Sequence, residues 1–449
     1  MTAAPTNTAP DSAPESAPDS APNSAPNSAL GPSPWWWVPT LYFAEAVPMV
    51  VVTFLATVMF KRLDISNRDI TLIAGWLYLP WVIKPAWSMV VEGVSTRRRW
   101  TLATEVLIAA GLGLLALVVG VAGPLTTTIA VLAAVAFLSA THDVAADGLY
   151  LAALDARQQA FFVGIRGTAY RIANVLGRGG LVMLAGGLET ALGDVRSAWR
   201  WAYAILAGIF LATAAYHAAV LPRPAADRRH AGRVLSFAAL GEPVVSFFRK
   251  PGIVRMLAFL LLYRLAEAQL VSLVSPFLLD DRGHGGLGLT TSQVGFVYGT
   301  LGIAMLSLGG ILGGIVVARD GLGRWLWPMA LAINLPNLAY VWLAAAQPES
   351  LWSIALAVGL EQFGYGFGFT AYMVYCMVVA RGEHQTVHYA LCTGFMAAGM
   401  MLPGMASGWI QEQVGYPMFF ALVMAATIPG FIATAFIPLD PAEGRGRSA

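Results

Sequence analysis

The chain reads as an all-α membrane protein, with twelve transmembrane helices in two six-helix pseudo-repeats. Three observations predict this. The sequence is 57% hydrophobic and only 12% charged, whereas a soluble domain carries roughly 25% charged residues. Apolar stretches of about the 20 residues that a spanning helix needs recur twelve times after residue 35. One long polar stretch, 222–252, divides them six and six.

Taken in order, residues 1–34 repeat APDS-like tetrapeptides and hold no residues able to build a core. Proline and low hydrophobicity predict a disordered tail. It lacks the basic start and apolar run of a signal peptide. The first half, 35–221, opens on Trp35–Trp37, an interfacial anchor. Its spans are placed at 36–60, 70–91, 101–121, 125–148, 158–188 and 199–221. A linker at 222–252 contains PRPAADRRHAGR. The second half, 253–439, has spans at 253–281, 291–317, 324–346, 350–380, 386–411 and 415–438, before a tail at 440–449. The GGILGG run at 309–314 lies inside a span, so it reads as close helix packing and not as a phosphate loop.

Lys and Arg set the expected orientation. With the N-terminus inside, sixteen of the 27 basic residues fall on the inner side, six on the outer, and five within spans. Both termini are therefore expected in the cytoplasm.

Ten charges lie inside apolar spans: Glu45, Lys84, Asp143, Asp147, Arg166, Arg171, Arg178, Arg264, Glu267 and Glu361. Each would cost at least about 2.5 kcal/mol if bare in hydrocarbon. They predict a sheltered polar path. At ~1.5 Å per residue, Glu45, Arg171, Arg264, Glu267 and Glu361 fall near the bilayer middle. Asp143 and Asp147 fall near the inner face, and Arg178 toward the outer one. Asp143 and Asp147, four apart, share a helix face; so should Arg171, Asn174 and Arg178. Arg264 and Glu267, three apart, can pair within their helix. Five bases against five acids allow the charges to neutralise one another as helix-bridging pairs. Glu105, one turn from a basic span end, reads as an edge residue. Tyr42, Trp81, Tyr170, Tyr263, Tyr365 and Tyr372 accompany the charges, as packing or as stacking surfaces.

Other classes are excluded. A net charge of +2 does not suit nucleic acid. Cys376 and Cys392 have no ligand spacing and read as buried structural residues. HDVAAD at 142–147 has no further His or Cys cluster nearby, so no metal is expected. There is no catalytic triad and no nucleotide-binding loop, so neither an enzyme nor a cofactor is expected.

Each half carries a short basic, glycine-containing turn after its second span, EGVSTRRR at 92–99 and ARDGLGR at 318–324. This parallel repeat resembles the major facilitator superfamily along residues 36–438. The resemblance implies that spans one, four, seven and ten line a central cavity, that two, five, eight and eleven border it, and that three, six, nine and twelve face lipid. All ten charges fall on the first two sets.

Further segments are similar to the AmpG-type permeases of the peptide/acetyl-coenzyme A/drug transporter family. They are LYFAEAVPMVV at 41–51, LYLPWVIKPAWSMVVEG at 77–93, SATHDVAADGLYL at 139–151, QQAFFVGIRGTAYRIANVLGRGGL at 158–181 and EQFGYGFGFTAYM at 361–373. Lys84, Asp143, Asp147, Arg166 and Arg171 match charged positions of that family. Glu92 stands where the family usually has an aspartate, and Ser88–Met89 where a proline is usual. The resemblance implies proton-coupled import of muropeptide fragments; other members move acetyl-coenzyme A.

The expected function is a proton-coupled secondary transporter of the inner membrane for a muropeptide, amino sugar or related anionic saccharide. Its expected partners are the small-molecule substrate, protons and lipids, and its expected state is a monomer. Glu45, Lys84, Arg171, Arg264, Glu267 and Glu361 are the candidates for cargo or proton. Glu92, Asp143, Asp147, Arg166, Arg319 and Asp320 are the candidates for gates. The alternatives are export of a drug or metabolite, and a receptor or lipid scramblase on the same scaffold.

Overall fold

The structure is a computed structural model that describes residues 32–84, 91, 94–120, 124–224, 227, 237–437 and 439. Residues 1–31 of the N-terminal tail, Glu92, residues 225–226 and 228–236 of the linker and the C-terminal tail lie outside the described residues. The described residues form helices and no strand.

Spans one to ten run Pro34–Arg62, Asn67–Val82, Arg97–Gly120, Leu125–Ala153, Arg157–Leu192, Val195–Val220, Ile253–Leu279, Thr291–Asp320, Leu322–Ala346 and Leu351–Ala380. Apart from Asn67–Val82, which leads into residues not described, each is long and apolar enough to cross a membrane. A last helical stretch, Val387–Phe436, is too long for one crossing. Gly415 breaks it with φ 73°, a left-handed conformation that favours glycine. Gly399 and Gly430, on either side, both lie against Leu261–Tyr263 of span seven. The chain has therefore turned back, and 385–414 and 416–436 are spans eleven and twelve.

Local sequence sets the starts. Ser66 accepts from the Asp69 amide ahead of span two, and Asp155 and Gln158 form a capping box at span five. Asp194 caps span six, and Thr290 with Gln293 caps span eight. Asp227, from the linker, accepts from the Arg97 and Arg98 amides at the start of span three, while Arg98 donates to Ala218 O and Leu221 O at the end of span six. Opposite ends of two antiparallel helices are thereby satisfied at one place.

Besides a 3-10 turn at Leu335–Asn337 in span nine, four spans depart from regular α-helix. π turns occupy Val51–Leu55, Leu176–Gly180 and Gly295–Gly302. Span seven is interrupted between Leu262 and Leu265, at Tyr263 and Arg264. Such breaks concentrate at functional sites.

The glycine run packs as expected. A side chain at Gly309 would meet the Phe363 carbonyl, and one at Gly366 the Leu306 carbonyl, so spans eight and ten touch backbone to backbone. Trp35 and Trp36 are exposed as anchors, while Trp37 is buried. Cys376 and Cys392 are buried and free.

We call the face where span one begins and span twelve ends the terminal face, and the opposite one the far face. The halves join toward the far face. Span two meets span eleven through Gly75 against Met405 and Asn67 against Gly408. Span five meets span eight through Gly179, Met183 and Gly186 against Gly299, Gly295 and Ser292. Toward the terminal face, Gly164 and Gly167 of span five and Gly394 of span eleven have open space around them.

Candidate functional site

The first group of charges is built entirely by the first half. Lys84 of span two pairs with Asp143 of span four. One turn on, Asp147 accepts from the Tyr42 hydroxyl at 2.9 Å and pairs with Arg166 of span five at 3.2 Å. The Arg166 guanidinium lies 4.4 Å over the Tyr42 ring and 5.3 Å over Tyr150. Asp143 and Asp147 do share a face, and it is the four-residue spacing that allows each to take a different cation. Glu45 of span one completes the group, within charge range of Asp143, Asp147 and Lys84. Its Oε2 is buried with no hydrogen-bond partner.

The second group sits at the break in span seven. The expected Arg264–Glu267 pair does not form. Three-residue pairing presumes a continuous helix, and here Arg264 occupies the junction before Leu265 with φ −109°. Arg264 is buried and donates to the Tyr365 hydroxyl of span ten. Its guanidinium lies 4.6 Å over Phe369 and 5.2 Å over Tyr365. Both Glu267 oxygens are buried without a partner. Glu361 is 1% exposed and accepts from Tyr340 at 3.1 Å and from Gln362 at 3.0 Å. It is fastened among residues of its own half.

Two other sequence readings are corrected. Arg171 is exposed, and the structure does not bring it to the midplane acids. Nor does it share a face with Arg178. Arg178 lies inside the π turn Leu176–Gly180, so the regular 3.6-residue register does not carry over from Arg171 to it. Arg178 instead lies 5.2 Å over Phe54. Of the remaining gate candidates, Arg319 and Asp320 bond each other at 2.9 Å, and Asp320 also accepts from Trp325 at 2.9 Å. Those contacts stay within the second half.

The residues that bridge the halves at the far face were not anticipated. Lys61 pairs with Asp280 at 2.5 Å, and Tyr416 donates to Asp280 at 2.6 Å. Asn67 accepts from Lys61 at 2.9 Å and donates to Gln411 at 2.8 Å. Nearby, Glu189 accepts from Arg62 at 3.1 Å and from Thr291 at 2.7 Å. Of these residues the sequence reading uses only Lys61 and Arg62, among the six basic residues of the outer side. Their partners are hundreds of positions away, and no local pattern signals such a pairing.

Glu105 was also misjudged. It is 0% exposed, and its Oε1 bonds His217 at 2.6 Å and His142 at 3.2 Å; His217 also reaches Thr40 at 3.0 Å. Spans one, three, four and six are tied at one point. The two histidines one position from span faces already of interest were the available signal. Glu105→Ala should strand two buried imidazoles at a cost of about 2–4 kcal/mol. The measurement is the unfolding midpoint in detergent, with Glu105→Gln falling between. An unchanged midpoint would contradict the bracing role.

No group of three or more metal-ligating side chains exists among the described residues. Two surface hollows, of about 380 and 490 Å³, lie on the flank of spans three and six, apart from these charges.

This architecture agrees with the comparisons. The sequence profile of the Major Facilitator Superfamily matches residues 40–391. The chain is 26% identical over 400 residues to the anhydromuropeptide permease of Escherichia coli (strain K12), covering 87% of this chain and 77% of that one. It is 23% identical over 410 residues to a putative transporter AmpG 4 of Rickettsia felis, covering 88% and 94%. Among solved structures it resembles the nucleoside transporter NupG, with TM-score 0.66, 15% identity and coverage of 90% and 98%. It also resembles a bacterial homologue of the human lysosomal transporter Spinster in an inward-facing, occupied conformation, with TM-score 0.63, 16% identity and coverage of 90% and 97%. With a profile match over most of its length, transporter relatives and the same helical architecture, the chain belongs to the Major Facilitator Superfamily and is a multi-pass membrane transporter, not an enzyme.

Proposed function

We propose that the protein imports a muropeptide, amino sugar or related anionic saccharide across the inner membrane, driven by protons, by alternating access. The terminal face is the cytoplasmic one, as the Lys and Arg distribution favours. The described conformation then opens to the cytoplasm and is locked outside. The boundaries of the two halves follow the linker at 222–252, and the protein acts as a monomer.

The observation that carries the proton reading is the charge count in the group around Glu45. Glu45, Asp143 and Asp147 are three carboxylates against two cations, Lys84 and Arg166. One negative charge is left over in a setting where unpaired charge is costly. A single proton removes the surplus. Lys84–Asp143 and Arg166–Asp147 take the cations, so Glu45 is the carrier. The cargo reading is supported by the permease relatives and by the aromatic, arginine-bearing level around Arg264.

The test is uptake into proteoliposomes of a labelled anhydromuropeptide with and without an inward proton gradient. Accumulation that requires the gradient supports the proposal. Accumulation indifferent to it removes proton coupling, and export or lipid flipping without uptake removes the importer.

A further inference from the structure

We infer that the cargo is bound through a negatively charged group gripped by two guanidiniums, Arg178 from the first half and Arg264 from the second. This rests on the reading of the protein as an importer, and it adds a residue and a chemical requirement to it.

Apart from the exposed Arg171, the cations inside the spans fall into two kinds. Lys84 and Arg166 are matched to carboxylates. Arg178 and Arg264 have no carboxylate partner among the described residues, and in each the Nε is buried with nothing to donate to. Arginine offers five N–H donors in a planar fork that fits a carboxylate or phosphate side-on. Aromatic faces hold both forks in place. Phe54 lies under Arg178, and Phe369, Tyr365 and Tyr372 surround Arg264. Such contacts contribute on the order of 1–2 kcal/mol, but they satisfy no N–H group. The Tyr365 hydroxyl satisfies only one donor of Arg264.

Both arginines sit where the helix departs from regular geometry. Arg178 is within the π turn of span five, and Arg264 is at the break of span seven. They converge from opposite halves. The charges of both reach Tyr78 of span two and Tyr365 of span ten. Phe54, under Arg178, stacks at 5.6 Å on Tyr298 of the second half. Span five is pressed there against span eight, where a side chain at Gly299 would meet the Arg178 carbonyl. The two forks therefore flank the level at which the halves hinge. An anion held between them contacts both halves at once, which gives cargo a means of biasing the rocking motion.

Glu267 and Glu361 face the same level. Glu361 is bonded to Tyr340 and Gln362. Both Glu267 oxygens are buried without a partner.

The test compares N-acetylmuramic acid with N-acetylglucosamine, which lacks the lactyl carboxylate, and with N-acetylglucosamine 6-phosphate. Binding is followed by calorimetry on the purified full chain in lipid nanodiscs. Either or both anionic sugars should bind at least tenfold more tightly than the neutral one; which of them does identifies carboxylate or phosphate. Arg178→Gln and Arg264→Gln should each remove that preference, Arg178→Lys should recover part of it, and Glu267→Gln should not weaken it. Equal binding of all three sugars, or a preference that survives Arg178→Gln, overturns the grip. Anion preference lost in both variants, in a protein that takes up no wall fragment, leaves the grip standing and sinks only the choice of cargo.

Discussion

Replacing Asp280 with asparagine should shift the protein toward a state open at the far face by about ten- to a hundredfold in population. Asp280 lies where span ends of the two halves meet. It holds Lys61 at 2.5 Å across the interface and accepts from Tyr416 at 2.6 Å and from Asn67 at 3.3 Å. The Lys61 and Asp280 side chains are only 14% and 17% exposed, so solvent screens the pair weakly. Hydrogen bonds to charged groups contribute about 1.5–3 kcal/mol, and each 1.4 kcal/mol is tenfold in an equilibrium. Asparagine keeps the shape but loses the charge, and it leaves Lys61 with the Asn67 oxygen alone. The neighbouring lock through Glu189, Arg62 and Thr291 is untouched, so closure weakens without being abolished. Distances between spin labels on the far ends of the two halves would report the shift. A distribution identical to that of the parent protein would remove Asp280 from the lock.

The contrast between what could and could not be read from sequence is instructive at this lock. The spans, their two sixes and the positions of the buried charges were legible because the bilayer acts on each residue locally: a charge in an apolar stretch is conspicuous by itself. Helix starts such as Asp155 with Gln158 are legible for the same reason. Partner choice is not local. Lys61, Asn67, Asp280 and Tyr416 are ordinary residues for a membrane interface, and they become a lock only when span ends from both halves meet. Arg264 and Glu267 misled because their spacing counts only along an unbroken helix. Arg171 and Arg178 misled because Arg178 lies inside a π turn, where the regular register is lost. Glu105 was assigned to an edge by counting residues, yet packing with His142 and His217 makes it fully buried. The five-to-five balance of charges was correct as a sum. It hid the fact that three acids of the first half gather around two matched cations, while Arg171, Arg178 and Arg264 have no carboxylate partner among the described residues.

That local imbalance leads to the second large effect. Glu45→Gln should abolish concentrative uptake while leaving exchange of cargo across the membrane intact. Glutamine reproduces the size and neutrality of a protonated glutamate. The group around it then holds Asp143 and Asp147 against Lys84 and Arg166, permanently balanced. A transporter whose cycle needs the surplus charge to be cancelled can still rock and still exchange cargo, because cancellation is now built in. It no longer carries a proton, so the gradient does no work. One unit of pH difference is worth about 1.36 kcal/mol, a tenfold accumulation ratio that the variant should lose. Asp143→Asn should behave differently. It strands Lys84 and removes a matched pair instead of the surplus, so exchange should fall as well. Counterflow of labelled cargo, measured beside gradient-driven accumulation in the same proteoliposomes, separates the two outcomes. If Glu45→Gln still accumulates cargo against its gradient, the proton travels on another group and the role given to Glu45 is wrong.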